Sequence, residues 1–184
     1  MTAPTRSRFL TPFNVLVILG TISKFGSSLF VLALPLLFLK ETGNPALALM
    51  ALSVQAVPYL ISPLLGEVVD RYDSRTVYSV AQLMLGLGTL LIPFFVHQPA
   101  LIFVLLIFSG MGSVLAGLLN YYKLIPQLVP EAELERAIGT YMSVTDTAKL
   151  VAPLVGGLLI TALGAKVAIF IDALTFFLMA GGFF

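Results

Sequence analysis

The sequence predicts an all-α membrane protein, a bundle of six transmembrane helices, and three observations carry that reading. Hydrophobic side chains make up 59% of the chain and charged ones 10%, where soluble domains average roughly 25% charged. Together with a mean hydropathy of +1.04, this leaves too few charges to build a water-facing surface. The apolar runs are continuous, without the alternation of period two that a transmembrane barrel needs. The charges fall at intervals, and the intervals cut the 184 residues into pieces of about 20, the length one helix needs to cross the hydrocarbon core. A net charge of +1 with no basic patch gives no reason to expect nucleic acid; membrane lipid is the expected surrounding. With one histidine and no cysteine, neither a disulfide framework nor a metal site is expected.

Arg6 and Arg8 precede a long apolar run interrupted only by Lys24. The run is too long for the core of a signal peptide and no small-x-small cleavage site follows it, so it is the first span, 12–39. At the turn that follows, Asn44 suits a helix N-cap and Pro45 the first helical position, opening a second span, 46–68. Residues 76–122 contain no Asp, Glu, Lys or Arg, too long a stretch for one crossing. His97-Gln98-Pro99 divides it into spans 77–96 and 100–122, with His97 in a solvated turn. A longer loop, 123–136, holds Pro126, Pro130, Glu131, Glu133 and Glu135. Its acids favour the N-terminus of the next helix, and one of them could meet Arg71. The fifth span, 137–163, turns at Gly164 into the sixth, 167–184. No basic residue anchors the last helix after Phe184, so the expectation is a chain that was cut. Arg6, Arg8, Arg71, Arg75, Lys123 and Arg136 fall on one side of this topology, and Lys40 and Lys166 on the other. The positive-inside rule then places the N-terminus in the cytoplasm of a multi-pass cell-membrane protein.

The loop after the second span reads Gly66-Glu67-Val68-Val69-Asp70-Arg71-Tyr72-Asp73-Ser74-Arg75. It resembles the signature of the major facilitator superfamily, Gly-x-x-x-Asp-Arg-x-Gly-Arg-Arg/Lys, with Gly66, Asp70, Arg71 and Arg75 matching. Asp73 stands for the usual glycine, a change that aspartate tolerates because it can visit the left-handed region. Ser74 replaces a basic residue. The resemblance implies that Asp70 latches one conformation against a helix N-terminus or an arginine of the opposite half. In the fifth span, Gly139, Ala148, Ala152-Pro153 and Gly156-Gly157 are similar to the family's antiporter motif, with two glycines replaced by alanine. Pro58 and Gly66, residues 124–130 and the Glu133-Leu134-x-x-Ala137 start of the fifth span look like the branch of enterobactin-exporter-like and macrolide-efflux-like proteins. What this implies is half of a twelve-helix fold, a 3+3 inverted repeat that needs a C-terminal half or a second copy. Two charged positions of many relatives are absent, with Leu106 and Gly26 in their place.

Intramembrane ionisable residues are functional candidates by default. Lys24, Asp146 and Lys149 fall at depths that agree within roughly 5 Å at ~1.5 Å rise per residue, so all three are expected near the midplane as one substrate and coupling layer. Alternatively, Asp146 and Lys149 only neutralise each other. Gly20, Lys24, Ser27 and Ser28 share a face of the first helix; Gly139, Ser143, Asp146, Lys149 and Pro153 share one of the fifth. The small residues from Ser109 to Asn120 are expected to serve packing. Asp172 either pairs with Lys166 or interacts inside the bundle. The function expected is secondary active export of small amphiphilic molecules, such as drugs or siderophore-like compounds, by alternating access. A proton gradient would drive it, without a cofactor, and the two lysines lean towards anionic substrates. The alternative is a non-transporting scaffold or regulatory partner. An enzyme is not expected, since no acid/base or nucleophile cluster is present.

Overall fold

A computed structural model describes residues 11–182; Arg6, Arg8, Phe183 and Phe184 lie outside the described residues. Helix α1, Pro12–Thr42, starts where the Thr11 hydroxyl accepts from the Asn14 N–H at 3.3 Å. It stops at Gly43, whose φ of 66° lies in the left-handed region that glycine reaches without steric cost. Asn44 Oδ1 accepts from the N–H groups of Ala46 and Leu47 at 2.9 and 3.3 Å, and so caps α2, Pro45–Val54.

The second crossing is not one continuous helix. α2 gives way to a 3-10 turn, Val57–Ile61, before α3 resumes at Ser62–Arg71. Pro58 and Pro63 each lack an N–H for the helical ladder, which breaks it twice within six residues. The broken segment packs where Gly110 leaves room. A Cβ there would sit 2.9 Å from Pro58 Cγ and 3.0 Å from the Gln55 carbonyl.

α4, Ser74–Leu91, begins at an Asp73 with φ −59° and ψ 128°. The aspartate therefore does not use the left-handed conformation its glycine-replacing position suggested. It occupies extended backbone as an N-cap, with Oδ2 accepting from the Thr76 N–H at 3.0 Å. α4 tightens into a 3-10 turn, Ile92–Phe94. α5, Pro99–Leu119, runs through a π-helical turn, Asn120–Leu124, into α6, Ile125–Leu128. The expected loop from Lys123 is thus helical up to Leu128. α7, Leu134–Leu163, follows a 3-10 turn, Glu131–Glu133, and α8, Ala165–Gly181, follows Gly164 at φ 88°. No strand occurs among the described residues.

Among the described residues, five stretches are long and apolar enough to cross a membrane: Pro12–Thr42, Pro45–Arg71, Ser74–Phe94, Pro99–Leu128 and Glu131–Leu163. α8, at 17 residues, spans ~26 Å at 1.5 Å per residue, slightly less than the hydrocarbon thickness. α1 packs against α2, α7 and α8, while α4 packs against α5 and α8. The α4–α5 crossing is close because a Cβ on Gly112 would come within 2.6 Å of the Ala81 carbonyl. Two apolar cores result. One gathers Leu16, Tyr78, Leu119, Tyr141 and Met179; the other gathers Leu29, Leu37, Phe38, Ile92, Ile102 and Ile169. Between them in sequence, on α1, α4, α5 and α8, lie the buried polar residues Ser23, Gln82, Ser109, Asp172 and Thr175. The bundle therefore has a polar middle layer between two apolar ends.

Candidate functional site

Lys24 of α1 and Lys149 of α7 line one recess of about 360 Å³, together with Ser27, Ser28, Val31, Leu32 and Pro153. Every lining residue comes from those two helices. Lys149 Nζ donates to Asp146 Oδ1 at 2.6 Å, and both side chains remain about half exposed. Lys24 stands within electrostatic range of Lys149, Asp146 and Asp172. The three charges singled out in the sequence are thus neighbours, with the ion pair within α7 and Lys24 facing it from α1. A second recess of about 480 Å³, lined mainly by apolar atoms of Phe25, Val144, Ala148 and Val151, opens between the same two helices.

Pro153 borders the first recess, and a Cβ on Gly156 would meet Leu29 Cδ2 at 2.8 Å, so this stretch of α7 lies directly on α1. At Gly139 and Gly157 a Cβ would meet nothing within 4 Å. Those two members of the antiporter-like motif have no packing role among the described residues.

Asp172 takes the interior alternative. Lys166 pairs with Glu41 at 2.9 Å, with His97 3.6 Å from the same carboxylate. His97 therefore faces a partner as well as solvent. Asp172 is 1% exposed and borders a partly open cavity of about 210 Å³ with Ser27, Gln55, Thr89 and Ser109. Its carboxyl is admitted by Gly26, where a Cβ would come within 2.8 Å of Asp172 Oδ1. A smaller polar cavity, about 60 Å³, joins Lys24 to Ser23, Gln82, Asn120 and Tyr141. Lys24 thus borders both the open recess and the interior of the bundle. Sequence reading gave Asp172 no site role; the signal available was an acid in an apolar helix, without a hint of which face it used.

The 70–75 loop is tied down by a residue that the motif does not contain. Lys123, in the π-helical turn after α5, reaches Asp70 Oδ1 at 3.2 Å and donates to the Val69 carbonyl at 2.8 Å. Arg71 pairs with Glu67 one turn back at 2.5 Å, rather than with the glutamates near 131–135. A Cβ on Gly66 would meet nothing within 4 Å, and Arg75 lies in the first turn of α4. The Thr76 N–H holds the Asp73 carboxyl below the usual aspartate range, since a hydrogen bond to the ionised form favours it.

Residues 16–184 match the Major Facilitator Superfamily profile. The uncharacterized MFS-type transporter YfiS of Bacillus subtilis is 28% identical over 162 residues, 87% of this chain and 38% of that protein. The multidrug efflux pump Tap of Mycobacterium tuberculosis is 26% identical over 160 residues, 82% of this chain and 38% of the pump. Macrolide efflux protein A of Streptococcus pyogenes is 26% identical over 159 residues, 83% and 39% of the two chains. The match therefore spans well under half the length of these relatives. No solved structure matches the chain.

Proposed function

Because the chain belongs to the major facilitator superfamily, we propose that it forms the N-terminal six-helix half of a cell-membrane exporter of small amphiphilic molecules. The observation that carries this is the pair of recesses on the α1–α7 face. One is edged by Lys24 and Lys149 and the other is mainly apolar, which suits a ligand with a polar and an apolar end. Each is walled by two helices only, as expected where a second six-helix unit closes a central cavity and rocks against the first. The efflux names of two relatives, Tap and macrolide efflux protein A, favour export over uptake.

The N-terminus lies in the cytoplasm in this reading, and the Asp70–Lys123 contact is a latch of the inner face. While the latch holds, the end of α3 stays fixed to the π-helical turn that follows α5. Opening it lets the halves move. The proton gradient supplies the energy, and no cofactor takes part. Flux in proteoliposomes containing this chain with its second half tests the proposal. Hydrophobic dyes and macrolides should move faster with an imposed pH gradient than without one. Binding of those compounds with no flux under any gradient would overturn it in favour of a non-transporting scaffold.

A further inference from the structure

We propose that Gln82 and Asn120 are positioning residues for Lys24. Through water in the small cavity they share with it, their amide oxygens take up its ammonium N–H groups and hold it, still charged, at the back of the open recess. The role rests on the exporter reading for its purpose, while its support is a match of donors to acceptors.

A lysine ammonium offers N–H donors only and no acceptor. Among the described residues, no direct hydrogen bond or ion pair engages Lys24, while the nearby Asp146 is taken by Lys149 at 2.6 Å. Gln82 Oε1 and Asn120 Oδ1 are the complement, fully buried acceptors that no donor reaches among the described residues. A buried polar atom without a partner is costly, and native interiors satisfy nearly all of them. Both amides and Lys24 line the same polar cavity of about 60 Å³. One water needs only about 10–15 Å³ and a few polar partners, and the ammonium with the two amide oxygens supplies those partners.

Local structure explains why these groups meet. Gln82 stands one turn past Tyr78 on α4, and the Tyr78 hydroxyl interacts with both the Gln82 and the Asn120 side chains, which sets the two amides side by side. Asn120 opens the π-helical turn, its N–H shared between the Ala116 and Gly117 carbonyls; such turns are frequent at functional positions. On α1, a Cβ at Gly20 would come within 2.8 Å of Tyr141 Oη, so α1 and α7 approach closely one turn before Lys24.

The charges that act on Lys24 are Asp146 and Lys149 of α7 and Asp172 of α8. Tyr78 of α4 and Tyr141 of α7 border its cavity, and α5 with its π-helical turn presents only neutral groups there. An acid in place of either amide would cancel the ammonium charge. An amide oxygen offers a dipole, which favours the charged form and leaves the charge in place for a ligand. Beside it, Lys149 and Asp146 neutralise each other. The polar end of a ligand that this arrangement selects is therefore an anionic group.

Trace acetylation of the full transporter with acetic anhydride, read by peptide mass spectrometry, reports the uncharged fraction of each lysine and needs neither substrate nor flux. Lys40 and Lys166, remote from the cavity, are the internal references. Gln82→Met and Asn120→Leu keep the side-chain shape and remove the acceptor. Each should raise Lys24 labelling by about threefold or more at fixed pH, because hydrogen bonds to the charged form favour it, with the references unchanged. Asn120→Asp keeps the shape and adds a negative charge, so it should lower Lys24 labelling by about threefold or more. A role confined to packing would loosen the site and speed labelling in all three variants. Asn120→Asp at or above the wild-type rate therefore overturns the proposal, as does unchanged Lys24 labelling in Gln82→Met or Asn120→Leu. The two readings fail separately. Labelling in the expected order in a protein without flux sinks the exporter and leaves the positioning role. Proton-driven flux with Lys24 labelling indifferent to the amides sinks the positioning role and leaves the exporter.

Discussion

Asp73 shows how one side chain can replace a motif residue by doing a different job. Its carboxylate caps α4 through the Thr76 N–H, so Asp73→Ala should lower the thermal midpoint, while Asp73→Asn should retain most of it because asparagine caps equally well. The carboxyl is held below the ordinary aspartate range. Its stabilising effect is therefore full above the unfolded-state pKa and is lost as pH falls through the depressed folded-state value. The midpoint difference between wild type and Asp73→Asn should shrink on acidification and stay constant above pH ~5; a difference that grows on acidification contradicts the cap. Lys24 belongs to the same scale. Lys24→Gln removes one of the two positive charges on the edge of the α1–α7 recess, so export of anionic substrates by the complete protein should fall more than export of neutral ones, as measured by flux of matched pairs.

Among the elements, the broken second crossing and the α5 helix that accommodates it form one unit. A Cβ at Gly110 would press on Pro58 and on the Gln55 main chain, and main chain cannot rotate away as a side chain can. Gly110→Ala should therefore destabilise by about 1–3 kcal/mol, the usual range for overpacking, seen as a lower unfolding midpoint in detergent. Gly66→Ala is the control, because open space surrounds that position. Its stability should change by less than about 0.5 kcal/mol, so any loss of transport there reports on movement of the 70–75 loop. α7 differs from the other helices in presenting Leu150, Leu154 and Leu158 at 75% exposure or more. This is consistent with a helix that meets lipid or a second half on one side and α1 on the other.

At the scale of the whole molecule, the Asp70–Lys123 contact is the link between the α3–α4 turn and the α5–α6 turn, on either side of the α4–α5 pair. In the full transporter, Asp70→Asn should slow transport while substrate affinity stays within about threefold, some 0.6 kcal/mol. Lys123→Gln should reproduce the defect, and the double variant should be no worse than either single one, as for residues in one contact. Additive losses, or a large loss of binding, would show that the pair is not the latch. The topology is open to direct test, since the chain has no native cysteine. Single cysteines at positions 44 and 98 should react with impermeant reagents from outside the cell; reaction only from the cytoplasm reverses the orientation.

The helical membrane class and the family were legible in the sequence because they depend on one-dimensional quantities. These are the length of each apolar run, the spacing of charges between runs, and a loop motif whose residues are contiguous. The Asn44 cap and the Gly164 turn were legible for the same reason, since capping acts within a few residues. The partners of Asp172, Asp70 and Arg71 were not. Asp172 could face Lys166 or the interior, and which of these it does depends on the rotation of α8 against α1, set by the close approach at Gly26. Lys123 stood 53 positions from Asp70 in sequence, and only the packing of α5 against α3 brings it there. Asp73 kept an ordinary backbone because a cap was available to it. For Asp172 burial in the folded bundle made the choice, since a polar group in an apolar interior takes the partner that packing brings within reach, whereas at exposed Asp70 the choice fell to the chain geometry that carries Lys123 alongside it.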